Sequence, residues 1–172
     1  DLISGSRASF SPQDALYEGN IDGIASKVRV TMEERANIKY IDVSLTNTTE
    51  KESEVMCAYY TEPVLGVTRK TAKFIQPKIV DDCLVLHNPY NTALPGYAAF
   101  HVPGERPVFT VDRASFLSGN WSASEMLPNN DPCTGLIISK KLPPHRKEKI
   151  RFILTAADTR EAAVSMAIND PS

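Results

Sequence analysis

Ile24-Ala25-Ser26-Lys27-Val28-Arg29-Val30-Thr31-Met32 is the stretch whose reading decides the fold class. Ile24, Val28, Val30 and Met32 share one parity while Lys27, Arg29 and Thr31 take the other, which is the two-residue period of a strand with one buried face. The pattern returns at once: Ile41, Val43 and Leu45 alternate with Asp42 and Ser44, and the polar run from Asn47 to Ser53 leads into Val55 to Tyr60. Segments of this kind in succession predict an antiparallel hairpin or meander.

Working outward, the same signal marks Ser6 to Phe10, Ala15 to Asn20, Leu84 to His87, Tyr97 to Val102, Val108 to Val111, Leu136 to Lys141 and Lys149 to Ala156. Short strands separated by Pro, Gly and Asn turns, with almost no helix between them, predict an all-β antiparallel β-sandwich over residues 1–157. One short C-terminal helix follows. Asp158 is its expected cap with Glu161 three residues later, Ala163, Met166 and Ala167 share a face, and Asn169 and Pro171 stop it. Residues 158–172 therefore read as the start of a helical linker. Gly119 to Pro132 is the longest stretch without periodicity, and long loops in compact domains are functional or mobile.

Composition narrows the function classes. The 172 residues carry a net charge of −2, too balanced for a protein that must neutralise many phosphates, so no nucleic-acid partner is expected. No apolar run reaches the ~20 residues of a membrane helix, so no membrane partner is expected either. Cys57, Cys83 and Cys133 are odd in number and far apart, which argues against a disulfide framework and for a reducing, cytoplasmic setting.

Little in the sequence has the pattern of a catalytic site. Cys83 and His87 lie four residues apart on a strand, roughly 13 Å, so they do not share a metal ion. There is no G-x-S-x-G elbow and no glycine loop leading into a helix, and neither cofactor nor metal is expected. Asp81-Asp82 reads as a polar turn, because strand neighbours face opposite ways. The basic run Lys140, Lys141, Arg146, Lys147, Lys149 and Arg151 reads as a solvated hairpin tip. Asn47-Thr48-Thr49 and Asn120-Trp121-Ser122 fit the glycosylation sequon, which matters only in a secreted protein. Trp121, the one tryptophan, sits in the long loop, either as a sugar platform or interface anchor or as a plug folded back on the sandwich.

Several segments, read in order, carry a resemblance. They are Asp22-Gly23-Ile24; Val43-Ser44-Leu45-Thr46-Asn47-Thr48; Tyr59-Tyr60-Thr61-Glu62-Pro63-Val64-Leu65-Gly66; Asn88-Pro89-Tyr90-Asn91-Thr92; Thr110 through Gly119; and Asp131-Pro132-Cys133. Together they resemble the N-terminal supersandwich of glycoside hydrolase family 94, formerly glycosyltransferase family 36, which includes cellobiose phosphorylase and the cyclic β-1,2-glucan synthase type. The resemblance implies a non-catalytic sandwich from a carbohydrate-active enzyme, with a structural and carbohydrate-binding role that completes the active site of its parent. The parent it implies is a glycoside phosphorylase or glycosyltransferase whose catalytic (α/α)6 barrel is not among these residues. The implied partners are that helical catalytic domain, a second subunit of a homodimer, and an oligosaccharide or β-glucan. The rival readings are an autonomous carbohydrate-binding module and an immunoglobulin-like scaffold.

Site residues follow from where alternation stops. After Val111 come Asp112-Arg113, then Phe116 and Leu117 as apolar anchors, and then Gly119. The Arg113 guanidinium is a planar fork of donors suited to sugar hydroxyls or phosphate, which Asp112 is placed to orient. The bland alternative is a local Asp112–Arg113 ion pair that pins the loop. Asp112, Arg113 and Trp121 are the expected substrate-binding residues, at one edge of the sandwich. Consecutive apolar residues in Val55 to Tyr60 and Leu136 to Ser139 predict burial on both faces, as for a sandwich docked on a helical domain.

Overall fold

A computed structural model describes residues 6–92 and 96–169. Two antiparallel sheets of unequal width face each other. The large sheet contains β1 (Arg7–Phe10), β2 (Asp14–Ile21), β3 (Ile24–Met32), β4 (Ile38–Asn47), β6 (Gln76–Val80), β7 (Cys83–His87), β8 (Tyr97–His101) and β11 (Lys147–Ala157), and the small one β5 (Ser53–Thr61), β9 (Val108–Asp112) and β10 (Pro132–Leu142). The spatial orders are β1-β2-β3-β4-β11-β8-β7-β6 and β5-β10-β9.

Alternation fills the space between the sheets. Ile41, Val43 and Leu45 of β4, Ile150 and Phe152 of β11 and Phe100 of β8 meet Leu136 and Ile138 of β10 and Phe109 and Val111 of β9. The Tyr59 ring lies 5.6 Å from that of Phe152 and joins the two layers. Each such large side chain contributes about 2 kcal/mol by leaving water. The opposite parity of the large sheet is covered by α2 (Arg160–Ile168), whose Ala163, Val164 and Ala167 are buried against Val85, Ala99 and Ile153.

The chain departs from its sequence reading in physically explicable ways. The meander breaks at Asn47, because β5 crosses to the other sheet. The buried Asn47 amide donates to the Leu142 carbonyl at 2.8 Å and the Lys51 carbonyl at 2.7 Å, tying the ends of both sheets together. That burial also removes it from a glycosylating enzyme. The basic run is likewise no hairpin tip: β10 and β11 belong to different sheets, Lys140 pairs with Glu105 at 2.5 Å, and Arg151 pairs with Asp42 at 2.6 Å. Asp81 and Asp82 do form a turn, with φ of 47° and 60°, between β6 and β7. α2 is capped by Thr159, whose hydroxyl accepts from the Ala162 amide at 3.2 Å, rather than by Asp158. Pro171 lies outside the described residues.

β6, the 3-10 helix Arg69–Phe74 and α1 (Arg113–Leu117) are additional to the predicted elements. In β6 a proline and a lysine interrupt the alternation, and the two short helices offer too few turns to show a period. Among the described residues, no helix is long and apolar enough to cross a membrane.

Candidate functional site

Asp112 ends β9, one of the two edge strands of the small sheet, and its carboxylate accepts from the Ser115 amide at 3.2 Å, so it serves as the N-cap of α1. An Asp here satisfies one of the four unpaired N–H groups that start a helix. It therefore does not orient Arg113. That work falls to Glu62, just beyond β5, and Asp131, just before β10. Arg113 Nε donates to Glu62 Oε1 at 2.7 Å, and its Nη1 donates to Asp131 Oδ2 at 3.1 Å.

Arg69, at the start of the 3-10 helix, closes the arrangement. Its Nη1 donates to Glu62 Oε2 and its Nη2 lies 3.3 Å from Asp131 Oδ1. Two arginines and two carboxylates thus alternate around a ring assembled from four separate segments. The Tyr60 hydroxyl also donates to Glu62 Oε1, at 2.7 Å.

The ring sets the charge states. Hydrogen bonds from Arg113, Tyr60 and Arg69 push the Glu62 carboxyl down to about 2. Glu62 and then Asp131 raise Arg113 above its already high value. Burial, then the Glu62 carboxylate, pushes Tyr60 up to about 12. Beside them the buried Cys133 thiol is pushed up to about 12 by burial and then by Asp112, Asp131 and Glu62. A carboxylate that stays ionised at neutral pH is a poor proton donor, and a thiol that stays protonated is a poor nucleophile. The carboxylate does suit a fixed cation. Arg113 keeps Nη2 without a protein partner among the described residues, and its side chain is 33% exposed.

Trp121 is not part of this ring. It stacks on Phe116 at 5.4 Å, and Phe116 stacks on Tyr60 at 4.6 Å. The indole N–H donates to the Phe116 carbonyl at 3.1 Å. This aromatic layer, with Ile137, covers the outer face of the small sheet. Gly135 makes it fit: a Cβ there would meet Thr110 Cγ2 at 2.6 Å and the Phe116 ring at 3.0 Å. The consecutive burial of Leu136, Ile137 and Ile138 is therefore achieved by the chain's own helix and loop, while β5 keeps Met56 exposed on that face.

Sequence reasoning found Arg113 but not Glu62 or Asp131 as its partners. Both stand within the segments that carry the resemblance, yet they are 51 and 18 residues away from Arg113, and no local pattern announces that they meet.

Two facing antiparallel sheets of unequal width define a supersandwich domain, and the polar cluster lies at the end of the small sheet where β5 and β9 finish and β10 begins, not at an edge. The chain matches the glycosyl hydrolase 94 supersandwich domain over residues 4–169, and it belongs to that family. Among solved structures, it is similar to a protein assigned as a kojibiose phosphorylase from the human microbiome (TM-score 0.53, 6% identity, 90% of this chain and 19% of that one). It is also similar to a polysaccharide lyase (TM-score 0.53, 13% identity, 89% of this chain and 23% of that one). A third is a protein assigned as an aldose 1-epimerase from Escherichia coli K12 (TM-score 0.52, 10% identity, 88% of this chain and 68% of that one). At such identities the likeness is one of fold. The chain spans about a fifth of the first two structures' length. No curated protein sequence matches it.

Proposed function

We propose that this chain is the non-catalytic sandwich of a carbohydrate-active enzyme of the glycoside phosphorylase or cyclic β-1,2-glucan synthase type, working in the cytoplasm. Residues 1–157 form the sandwich, and residues 158–172 begin the linker to a helical catalytic domain. The sandwich presents Arg113 to the sugar site of the parent enzyme, across a homodimer interface. Asp112 and Trp121 serve that site at one remove, Asp112 by capping α1 and Trp121 by bracing Phe116.

The observation that carries this reading is the ring of Arg69, Glu62, Arg113 and Asp131, which holds one guanidinium at the end of the small sheet with Nη2 open. A purely structural pair needs no second arginine and no exposure. Family membership supports the carbohydrate setting, and the engagement of both Glu62 oxygens by Arg113, Tyr60 and Arg69 supports a role in holding the arginines rather than in bond cleavage.

The test is Arg113→Ala in the full-length enzyme, with Arg113→Lys beside it. The reading expects kcat/KM to fall at least roughly tenfold, the scale of one lost charge-assisted hydrogen bond. Arg113→Lys should recover only part of the loss, since lysine lacks the fork. Unchanged kcat/KM with a lowered Tm would leave Arg113 a structural residue and overturn the reading.

A further inference from the structure

Tyr90 is 63% exposed, yet the turn that carries it is tied down by the side chain of a buried neighbour. Asn88 beneath it is buried, and its side-chain amide donates to the Thr71 carbonyl at 3.1 Å and reaches the Val64 carbonyl at 3.5 Å. Asn88 Oδ1 accepts from the Tyr90 amide at 3.1 Å. The Tyr90 ring lies face to face with Phe74 at 4.6 Å and 17°, and Phe74 is itself 39% exposed. Lys73 Nζ sits 5.2 Å from the centre of the Phe74 ring.

The Asn88 anchor serves the fold by pairing backbone groups, but the Tyr90 ring it presents stays largely in water and itself gains the fold little. An exposed aromatic stack with a fixed geometry is what a ligand can use. The polarised C–H groups on the flat face of a pyranose match the electron-rich face of such a ring, while the sugar hydroxyls stay hydrated.

The position of the stack connects it to the ring of charges. Glu62 and Val64 belong to one segment, and Arg69 and Phe74 begin and end one 3-10 helix. At about 2 Å per residue, that helix sets the backbones of Arg69 and Phe74 about 10 Å apart, more than the length of one hexose.

We propose that Tyr90 is a sugar-stacking platform, and that a neutral gluco-oligosaccharide lies across it with its far end toward Arg113. The proposal rests on the carbohydrate reading above and deepens it: the ligand is a chain rather than a single sugar, and the stacking aromatic is Tyr90 rather than Trp121.

Amide and aromatic NMR titrations of the protein with cello-oligosaccharides and with linear β-1,2-gluco-oligosaccharides test it. At least one probe should bind the wild-type protein saturably. Tyr90→Ala should weaken that binding roughly tenfold, and Tyr90→Phe should hold it within about threefold. The Tyr90→Ala amide spectrum away from residues 74 and 90 should superimpose on the wild type, so that lost binding is not lost folding. Equal binding by Tyr90→Ala and wild type, with Arg113→Ala weakened, would overturn the platform and leave the role of Arg113 standing. No binding of either probe to the wild type would overturn the platform too, while the kinetics of Arg113→Ala judge the role of Arg113 separately.

Discussion

Trp121 and Tyr90 are both large aromatics on loops, and the fold treats them in opposite ways. Trp121 has a ring face on Phe116 and its N–H on a carbonyl, so its polar handle and part of its surface are spent inside the protein. Tyr90 has one ring neighbour and remains mostly in water, although its backbone is held by the buried Asn88. Rarity in the sequence thus does not tell how much of a ring the fold leaves in water: the one tryptophan is packed on Phe116, whereas Tyr90, one of six tyrosines, is 63% exposed.

The largest expected effect comes from opening the closed side. Phe116→Ala removes the ring between Tyr60 and Trp121 and should cost about 3 kcal/mol of stability in denaturant unfolding. It should also make Trp121 fluorescence far more accessible to acrylamide. Undiminished protection of Trp121 would mean that something other than Phe116 closes that side. Asn88→Ala comes next. It strips partners from two part-buried carbonyls and from the Tyr90 amide, so a loss of about 2 kcal/mol is expected, together with faster hydrogen exchange at Tyr90. A stable variant with an unchanged exchange rate there would break the link between anchor and platform.

Much of the fold was legible because alternation is a local signal: β3 and β4 declare themselves in nine or ten residues. The assignment of β5 to the second sheet was not legible, because Asn47 acts through a carbonyl 95 residues away. The ring of charges was hidden for the same reason. Arg113 stood out as a residue at a break in alternation, whereas Glu62 looks like any acidic residue at a strand end. Asp112 carried a readable signal, an acidic residue three positions before Ser115, but α1 is too short to advertise itself.

The Glu62→Gln variant separates the ring from the aromatic layer beside it. Because the Glu62 carboxyl is depressed from the usual 4.5 to about 2, its contribution is present above about pH 4.5 and is lost as pH falls toward 2. Wild type should therefore melt above Glu62→Gln at pH 7, and the gap should close between pH 4.5 and 2. A gap that stays constant through that window would mean that Glu62 is not held ionised by the arginines. The smallest effect belongs to Tyr90→Ala, whose stability should lie within about 0.5 kcal/mol of wild type, as for an exposed side chain. A loss of several times that would mean that Tyr90 serves the fold, and the contrast with Trp121 would disappear.

The most direct measurement is a crystal structure of the protein grown with a linear gluco-oligosaccharide. The account predicts a pyranose stacked on the open face of Tyr90, the chain running toward Arg113 Nη2, and Trp121 still stacked on Phe116. A sugar stacked on Trp121, with Tyr90 bare, would contradict it.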